Sequence, residues 1–145
     1  TTDIATHIHL LKHRIGVSIN GESARYKELK DDKVYVPVDW DPVERLKYIE
    51  FMDNALKQYH ECLARLVAKG VPRKRAKESA RFYLPYGNQI TADISFNWRS
   101  FMHFQGLRNS EHAQLEVREL AVEMLNQVRD TGKFPLSLKA FGYDE

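Results

Sequence analysis

Lys12-His13-Arg14-Ile15-Gly16-Val17-Ser18-Ile19-Asn20-Gly21-Glu22-Ser23-Ala24-Arg25-Tyr26 is the stretch on which the reading of this chain turns. It opens and closes on cations, and between them stand hydroxyls, an amide, a carboxylate and two glycines. Such side chains make a poor core and a good cradle for an anionic, hydrogen-bonding ligand. Glycine lets backbone approach a ligand closely, and basic groups clamp phosphate. The chemistry therefore reads as a phosphate or nucleotide site, with a solvated basic loop as the commoner origin of such residues. Helical periodicity stops at Ile15, and Val17, Ile19 and Tyr26 suggest extended chain around a turn at Asn20-Gly21.

Upstream, Ile4, Ile8, Leu11 and Ile15 recur at spacings of four, three and four, one face of a helix over residues 3–14 that Asp3 can cap. His9 and His13 share a face as a helical metal pair would, but no third ligand follows at a recognised spacing. No metal is expected, and a metal-dependent hydrolase built on His7, His9 and His13 is the weakest of the readings. The plainer alternative is a helix end at which His13 and Arg14 meet the negative pole or a ligand.

Downstream, residues 27–33 are mostly charged and read as a solvated loop or hairpin, and Val34 and Val36 alternating against Tyr35 read as a short strand. Asp41-Pro42-Val43-Glu44 is a strong helix start, with Asp as cap and Pro at the first helical position. Leu46, Ile49, Met52, Leu56, Tyr59, Leu63 and Leu66 then predict the longest helix, ended by Gly70 and Pro72. Cys62 lies beside that stripe and reads as packing. A second helix is expected over residues 72–83, with Arg73, Lys74, Arg75 and Lys77 on a solvated face. Arg81 stands in an apolar patch before Pro85; chemistry alone favours a structural ion pair there over a ligand phosphate.

Residues 90–97 alternate cleanly between apolar and polar, as a half-buried strand does. Residues 97–104 read as a helix leading to Gly106, with Phe101 and Phe104 in the core and Arg99 and His103 able to face one ligand. Ser110-Glu111 is read as the cap of a further helix packed through Val117, Leu120, Ala121, Met124 and Val128 and ending near Gly132. The tail from Lys133 has apolar surface to dock and no clear motif. Several helices around a small mixed or antiparallel sheet make the fold class α+β.

The chain has 145 residues, the size of one domain, with 43% hydrophobic and 29% charged residues, as in ordinary globular proteins. A net charge of +2 argues against a large nucleic-acid-binding face, so any bound anion should be small and no nucleic-acid partner is expected. One cysteine rules out an intramolecular disulfide and makes a reducing compartment the simpler assumption. No apolar run reaches the roughly 18 residues of a membrane span, and no signal peptide is visible, so no membrane partner and a cytoplasmic location are expected. The opening Thr1 in place of Met suggests a fragment or a processed chain.

The stretch at 12–26 also resembles the signature of the flavin-dependent thymidylate synthases: Arg-His-Arg, seven or eight residues, Ser, then Arg-Tyr. Lys12 stands where the first Arg is expected, His13 and Arg14 match, and Ser23 and Arg25-Tyr26 fall in place after eight residues. Ala80-Arg81 with Leu84-Pro85 is similar to the family's Ala-Arg and Leu-Pro element. Asn97-x-Arg99-Ser100, Leu107-Arg108 and His112-Ala113-Gln114 resemble its following run, continued by Glu116 and Arg118. Three departures stand out: Lys12 for Arg, Gly21-Glu22 in inverted order after the Asn, and His103 where Asn is frequent.

What the resemblance implies is an α+β fold of that family and an enzyme that binds FAD, is reduced by NADPH, and methylates dUMP to dTMP with methylenetetrahydrofolate. It implies a homotetramer with shared active sites, and a single domain over residues 1–145 lacking the usual N-terminal region. His9, Leu10, Leu11, Lys12, Gly21, Glu22, Ser23, Ala24, Arg25, Arg81 and Arg108 would contact dUMP, with Arg25 and Arg81 on its phosphate. Arg108 would be catalytic, polarising the uracil ring. Lys12, His13, Arg14, Ile15, Asn97, Arg99, His103, Leu107 and His112 would meet the flavin. A non-catalytic nucleotide- or flavin-binding relative, or an assembly subunit, is the alternative.

Overall fold

The computed structural model describes residues 1–22 and 33–143. These form two compact units, residues 1–8 with 20–22 and 33–93, and residues 9–19 with 94–143.

In the first unit, β1 (Thr2–Asp3) pairs antiparallel with β3 (Gln89–Ile90), Thr2 opposite Ile90 and Asp3 opposite Gln89. Asp3 caps α1 (Ile4–Leu10) by accepting from the Thr6 amide at 2.9 Å, as expected, but the helix ends at Leu10, short of the predicted residue 14. The expected strand at 33–37 reduces to an antiparallel bridge from Val34 to Asn88. Gly87, beside it, is glycine because a Cβ would run into the Tyr48 hydroxyl.

The dominant element is α2 (Pro42–Ala68). Asp41 Oδ1 accepts from the amides of Val43 and Glu44 at 2.8 and 3.0 Å, and Gly70, at φ +83°, stands just beyond the helix. Its stripe of Met52, Leu56, Tyr59 and Leu63 is buried, while Val43 and Leu46 at the helix start stay exposed. Tyr59 and Leu63 pack on Ala76 and Ala80 of α3 (Arg73–Ala80), whose small side chains allow close approach, and Cys62 borders this cluster as packing. A 3-10 turn over Arg81–Tyr83 follows where the sequence predicted continuous helix; the Leu84 amide closes it on the Arg81 carbonyl just ahead of Pro85.

The second sheet joins β2 (Val17–Gly21) to β4 (Ala92–Phe96). The predicted turn at Asn20-Gly21 is therefore corrected: both residues continue the strand, and the Glu22 amide extends the contact to the Thr91 carbonyl at 2.8 Å.

In the second unit, α4 (Trp98–Arg108) and α5 (Leu115–Asp130) pack around Leu10, Phe104 and Ala121 and around Phe101, Met102, Leu125 and Leu138. Gln105 is fully buried between these helices and donates from Nε2 to the Ala121 carbonyl at 2.9 Å, which offsets its desolvation. Helix α4 runs two residues past Gly106. The predicted cap at Ser110 instead closes a turn, accepting the His112 and Ala113 amides, and α5 starts at Leu115. The tail forms α6 (Pro135–Ala140), led by its proline. The class is α+β, as expected.

Candidate functional site

Residues 9–16 and the segment around α4 build the site together, all within the second unit. Four hydrogen bonds join them in descending register. His9 Nε2 donates to Gln114 Oε1 at 2.8 Å, and Arg108 Nε donates to His13 Nε2 at 3.0 Å. Ser100 Oγ donates to the Ile15 carbonyl at 2.6 Å, and the Asn97 amide donates to the Gly16 carbonyl at 2.9 Å. As the first segment advances from 9 to 16, its partners step back from 114 to 97, so the two run antiparallel.

Gly16 makes the tight end of this arrangement possible. It sits at φ +64°, and a Cβ there would collide with the Asn97 side chain and Ser100 Oγ. Asn97 is thereby positioned as the N-cap of α4, its Oδ1 accepting from the Ser100 amide at 2.9 Å.

Arg108 and His13 form the chemical centre. A guanidinium N–H can only donate, so His13 Nε2 must offer its lone pair, which requires a neutral ring protonated at Nδ1. The environment agrees: burial first, then the Arg108 guanidinium and the His103 ring, pull His13 below the ordinary histidine value. The imidazole is braced edge-on by Phe104, with ring centres 5.0 Å apart. The helix-end alternative for His13 is thus replaced by a contact 95 residues away. No other described residue bonds the Arg108 guanidinium, which leaves its two Nη groups for a ligand.

Arg99, His103 and Leu107 recur every four residues on one face of α4 and line a pocket of about 400 Å3 with Met102, Gly106, Phe141 and Tyr143. Three residues assigned to the flavin by resemblance are thus brought together. Lys12, Arg14, Ile15 and Leu11 are exposed, and neither Lys12, Arg14 nor Arg99 has an ion pair among the described residues. His112 is exposed in the turn before α5. Leu10 is different: its side chain is 1% exposed in the core against Phe104, which leaves only its main chain for a nucleotide. A separate apolar cavity of about 460 Å3, lined by Phe96, Trp98, Phe101 and Phe134 among others, includes none of the proposed ligand residues.

Gly21, Glu22 and Arg81 belong to the first unit. Gly21 lies beside the His7 ring, whose buried Nδ1 has no hydrogen-bond partner among the described residues and whose burial lowers its pKa. Arg81 is exposed and makes no ion pair with a described residue, so the structural pairing favoured on sequence chemistry is absent there. Ser23, Ala24 and Arg25 lie outside the described residues. Among the described residues, no three His, Cys, Asp or Glu side chains converge to hold a metal, and no helix is long and apolar enough to cross a membrane.

Sequence reasoning placed Ser100 and Gln114 in the family run without a contact, read Gly16 for a ligand instead of for Asn97, and gave the tail aromatics docking surface but no place in a pocket. Ser100 was findable as the third residue after a capping Asn; the others declare themselves only through partners distant in sequence.

The arrangement defines a class: an α+β scaffold with a tethered arginine and a cationic, partly aromatic pocket suited to an anionic ligand bearing a planar ring. Residues 1–135 match the family described as thymidylate synthase complementing protein, and the chain belongs to that family. It is 37% identical over 132 residues to a flavin-dependent thymidylate synthase of Mycobacterium tuberculosis, covering 85% of this chain and 52% of that protein. The corresponding protein of Corynebacterium glutamicum is 34% identical over 134 residues, with 86% and 53% covered. Among solved structures, a UMP/dUMP methylase, PolB, from Streptomyces cacaoi bound with 5-Br UMP superposes with a TM-score of 0.66 at 25% identity, covering 98% of this chain and 71% of that one. The chain spans about half the length of the curated relatives it matches.

Proposed function

We propose that this chain provides the nucleotide- and flavin-binding site of an FAD-dependent thymidylate synthase, methylating dUMP to dTMP with methylenetetrahydrofolate as carbon donor and NADPH as reductant. Family membership and the named relatives support the reading. The observation that carries it is the Arg108–His13 pair: a guanidinium held at Nε by a neutral imidazole, with neither Nη group bonded to a described residue.

The residues present fit FAD. The α4 pocket offers one cation, a histidine and apolar walls in a volume within the ~300–1,000 Å3 typical of small-molecule sites. Arg99, His103 and Leu107 would hold the cofactor there, with Lys12, His13, Arg14, Ile15, Asn97 and His112 as the remaining contacts. When bound, FAD supplies the redox chemistry of the methylation. Arg108 donates to the uracil imide, stabilises negative charge on the ring and makes its C5 carbon more nucleophilic. Arg81 and Arg25 serve the phosphate; Gly21, Glu22, Ser23, Ala24 and the main chain of residues 9–12 bound the nucleotide. The working form in this reading is a cytoplasmic homotetramer with shared sites.

The test is tritium release from dUMP labelled at position 5, dependent on NADPH and methylenetetrahydrofolate, in protein whose spectrum shows bound flavin. UMP is assayed in parallel, because the PolB neighbour is a methylase of UMP and dUMP. Arg108→Ala should lower turnover by at least about 100-fold with the fold and flavin spectrum retained. Near-normal turnover in that variant, or protein that cannot be reconstituted with FAD and dUMP, overturns the proposal; dUMP binding without tritium release identifies the non-catalytic relative instead.

A further inference from the structure

The pocket on α4 has one wall that the family match does not reach. The match ends at residue 135, and Phe141 and Tyr143 lie beyond it.

Their placement is built, not incidental. Helix α6 ends in a paired C-terminal lock: the Gly142 amide donates to the Lys139 carbonyl at 3.1 Å and the Tyr143 amide to the Leu138 carbonyl at 2.9 Å, with Gly142 at φ +74°. Tyr143 packs on the cluster of Phe101, Met102, Leu125 and Leu138, and its carbonyl accepts from Arg129 Nε at 3.2 Å. The tail is therefore anchored through Tyr143, yet Phe141, one residue before the glycine, remains 49% exposed and lines the pocket with Arg99 and His103. An aromatic ring on a locked turn, left out of the core and lining one pocket with a cation that has no ion pair among the described residues, suits a ligand with a flat ring and an anionic arm. The thioether of Met102 in the same lining favours an aromatic partner as well.

We propose that Phe141 is the aromatic wall of this pocket and contacts a planar heteroaromatic ring of a dinucleotide cofactor, whose phosphate lies toward Arg99. The inference rests on the flavin reading above and adds a residue from the tail beyond residue 135.

The test is the affinity of the purified protein for FAD, FMN and ADP, by fluorescence or calorimetric titration, in wild type, Phe141→Ala and Phe141→Trp. Half-exposed Phe141 contributes little to folding, and an unchanged melting midpoint checks this. Phe141→Ala should weaken FAD binding about tenfold, and Phe141→Trp should stay within about twofold of wild type. Parallel loss with FMN places the isoalloxazine against Phe141; loss with FAD and ADP but not FMN places the adenine there. Wild type and Phe141→Ala binding all three ligands equally overturns this inference and leaves the proposed function standing. Wild-type protein that binds none of them removes both.

Discussion

His13→Phe isolates the proposed role of the imidazole from its packing. Phenylalanine keeps a ring edge-on to Phe104 but cannot accept the Arg108 Nε–H now made at 3.0 Å. A hydrogen bond to a charged group contributes about 1.5–3 kcal/mol, which corresponds to roughly 10- to 150-fold in rate if it is realised while the ring carries charge. His13 is only half-buried, so the lower part of that range, about 10- to 30-fold, is expected. His13→Gln keeps an acceptor and should retain most of the activity. The assay is tritium release from labelled dUMP, with kcat and KM separated and melting midpoints in parallel. A positioning role lowers kcat in His13→Phe with little change in melting. In wild type, protonating His13 turns Nε2 into a donor and breaks the bond, so the rate should fall on the acid side with a midpoint below the ordinary histidine value, because the native pKa is depressed. That acid limb should be absent from His13→Gln. Equal rates in His13→Phe and wild type, or equal losses in the Phe and Gln variants, would refute the tether.

Two further outcomes follow from the structure. Gly16→Ala should lower stability by about 1–3 kcal/mol, since it adds left-handed strain and pushes on Asn97 and Ser100; urea unfolding measures this, and flavin affinity should drop with it. Unfolding stability should also decline as pH falls below about 6.5, where His7 and His13 would protonate first in the unfolded chain, and should level off below their depressed native values. Urea midpoints at pH 7.5, 6.5 and 5.5 test this; a flat or rising series refutes it, and His7→Gln should flatten the decline.

What was legible in the sequence followed from local rules. The Asp41-Pro42 start, the Met52, Leu56, Tyr59 and Leu63 part of the α2 stripe, the start of α4 after Asn97 and the core positions Phe101 and Phe104 are set by capping and periodicity, which neighbouring residues alone determine, whereas Leu46 and Ile49 of the same stripe stay exposed. The failures are equally physical. Asn20-Gly21 has turn chemistry, but pairing of β2 with β4 overrides it. Ser110 caps a turn instead of a helix, and the Gly142 lock has no composition signal, because it depends on a glycine standing two residues after a short helix. Leu10 shows a further limit: a motif match fixes a position along the chain, whereas the helix phase decides that this side chain faces Phe104.

The landmarks that carry the family resemblance are explained by one another. His13 of the first signature binds Arg108 of the Leu-Arg element, the carbonyl of Ile15 binds Ser100 of the Asn-x-Arg-Ser run, and His9 binds Gln114 of the His-Ala-Gln run. These bonds span 95, 85 and 105 residues and fall in one antiparallel register, so neither half of the pattern has its geometry without the other. Because His9, His13, Ile15 and Gly16 are taken up as partners of α4 and its flanks, Lys12 and Arg14 are left exposed between them. The basic stretch that reads locally as a solvated loop is thus a strap fixed at four points, with its spare cations presented on one rigid frame. Preorganised charge of that kind can stabilise an anionic ligand without first losing the entropy of a free loop.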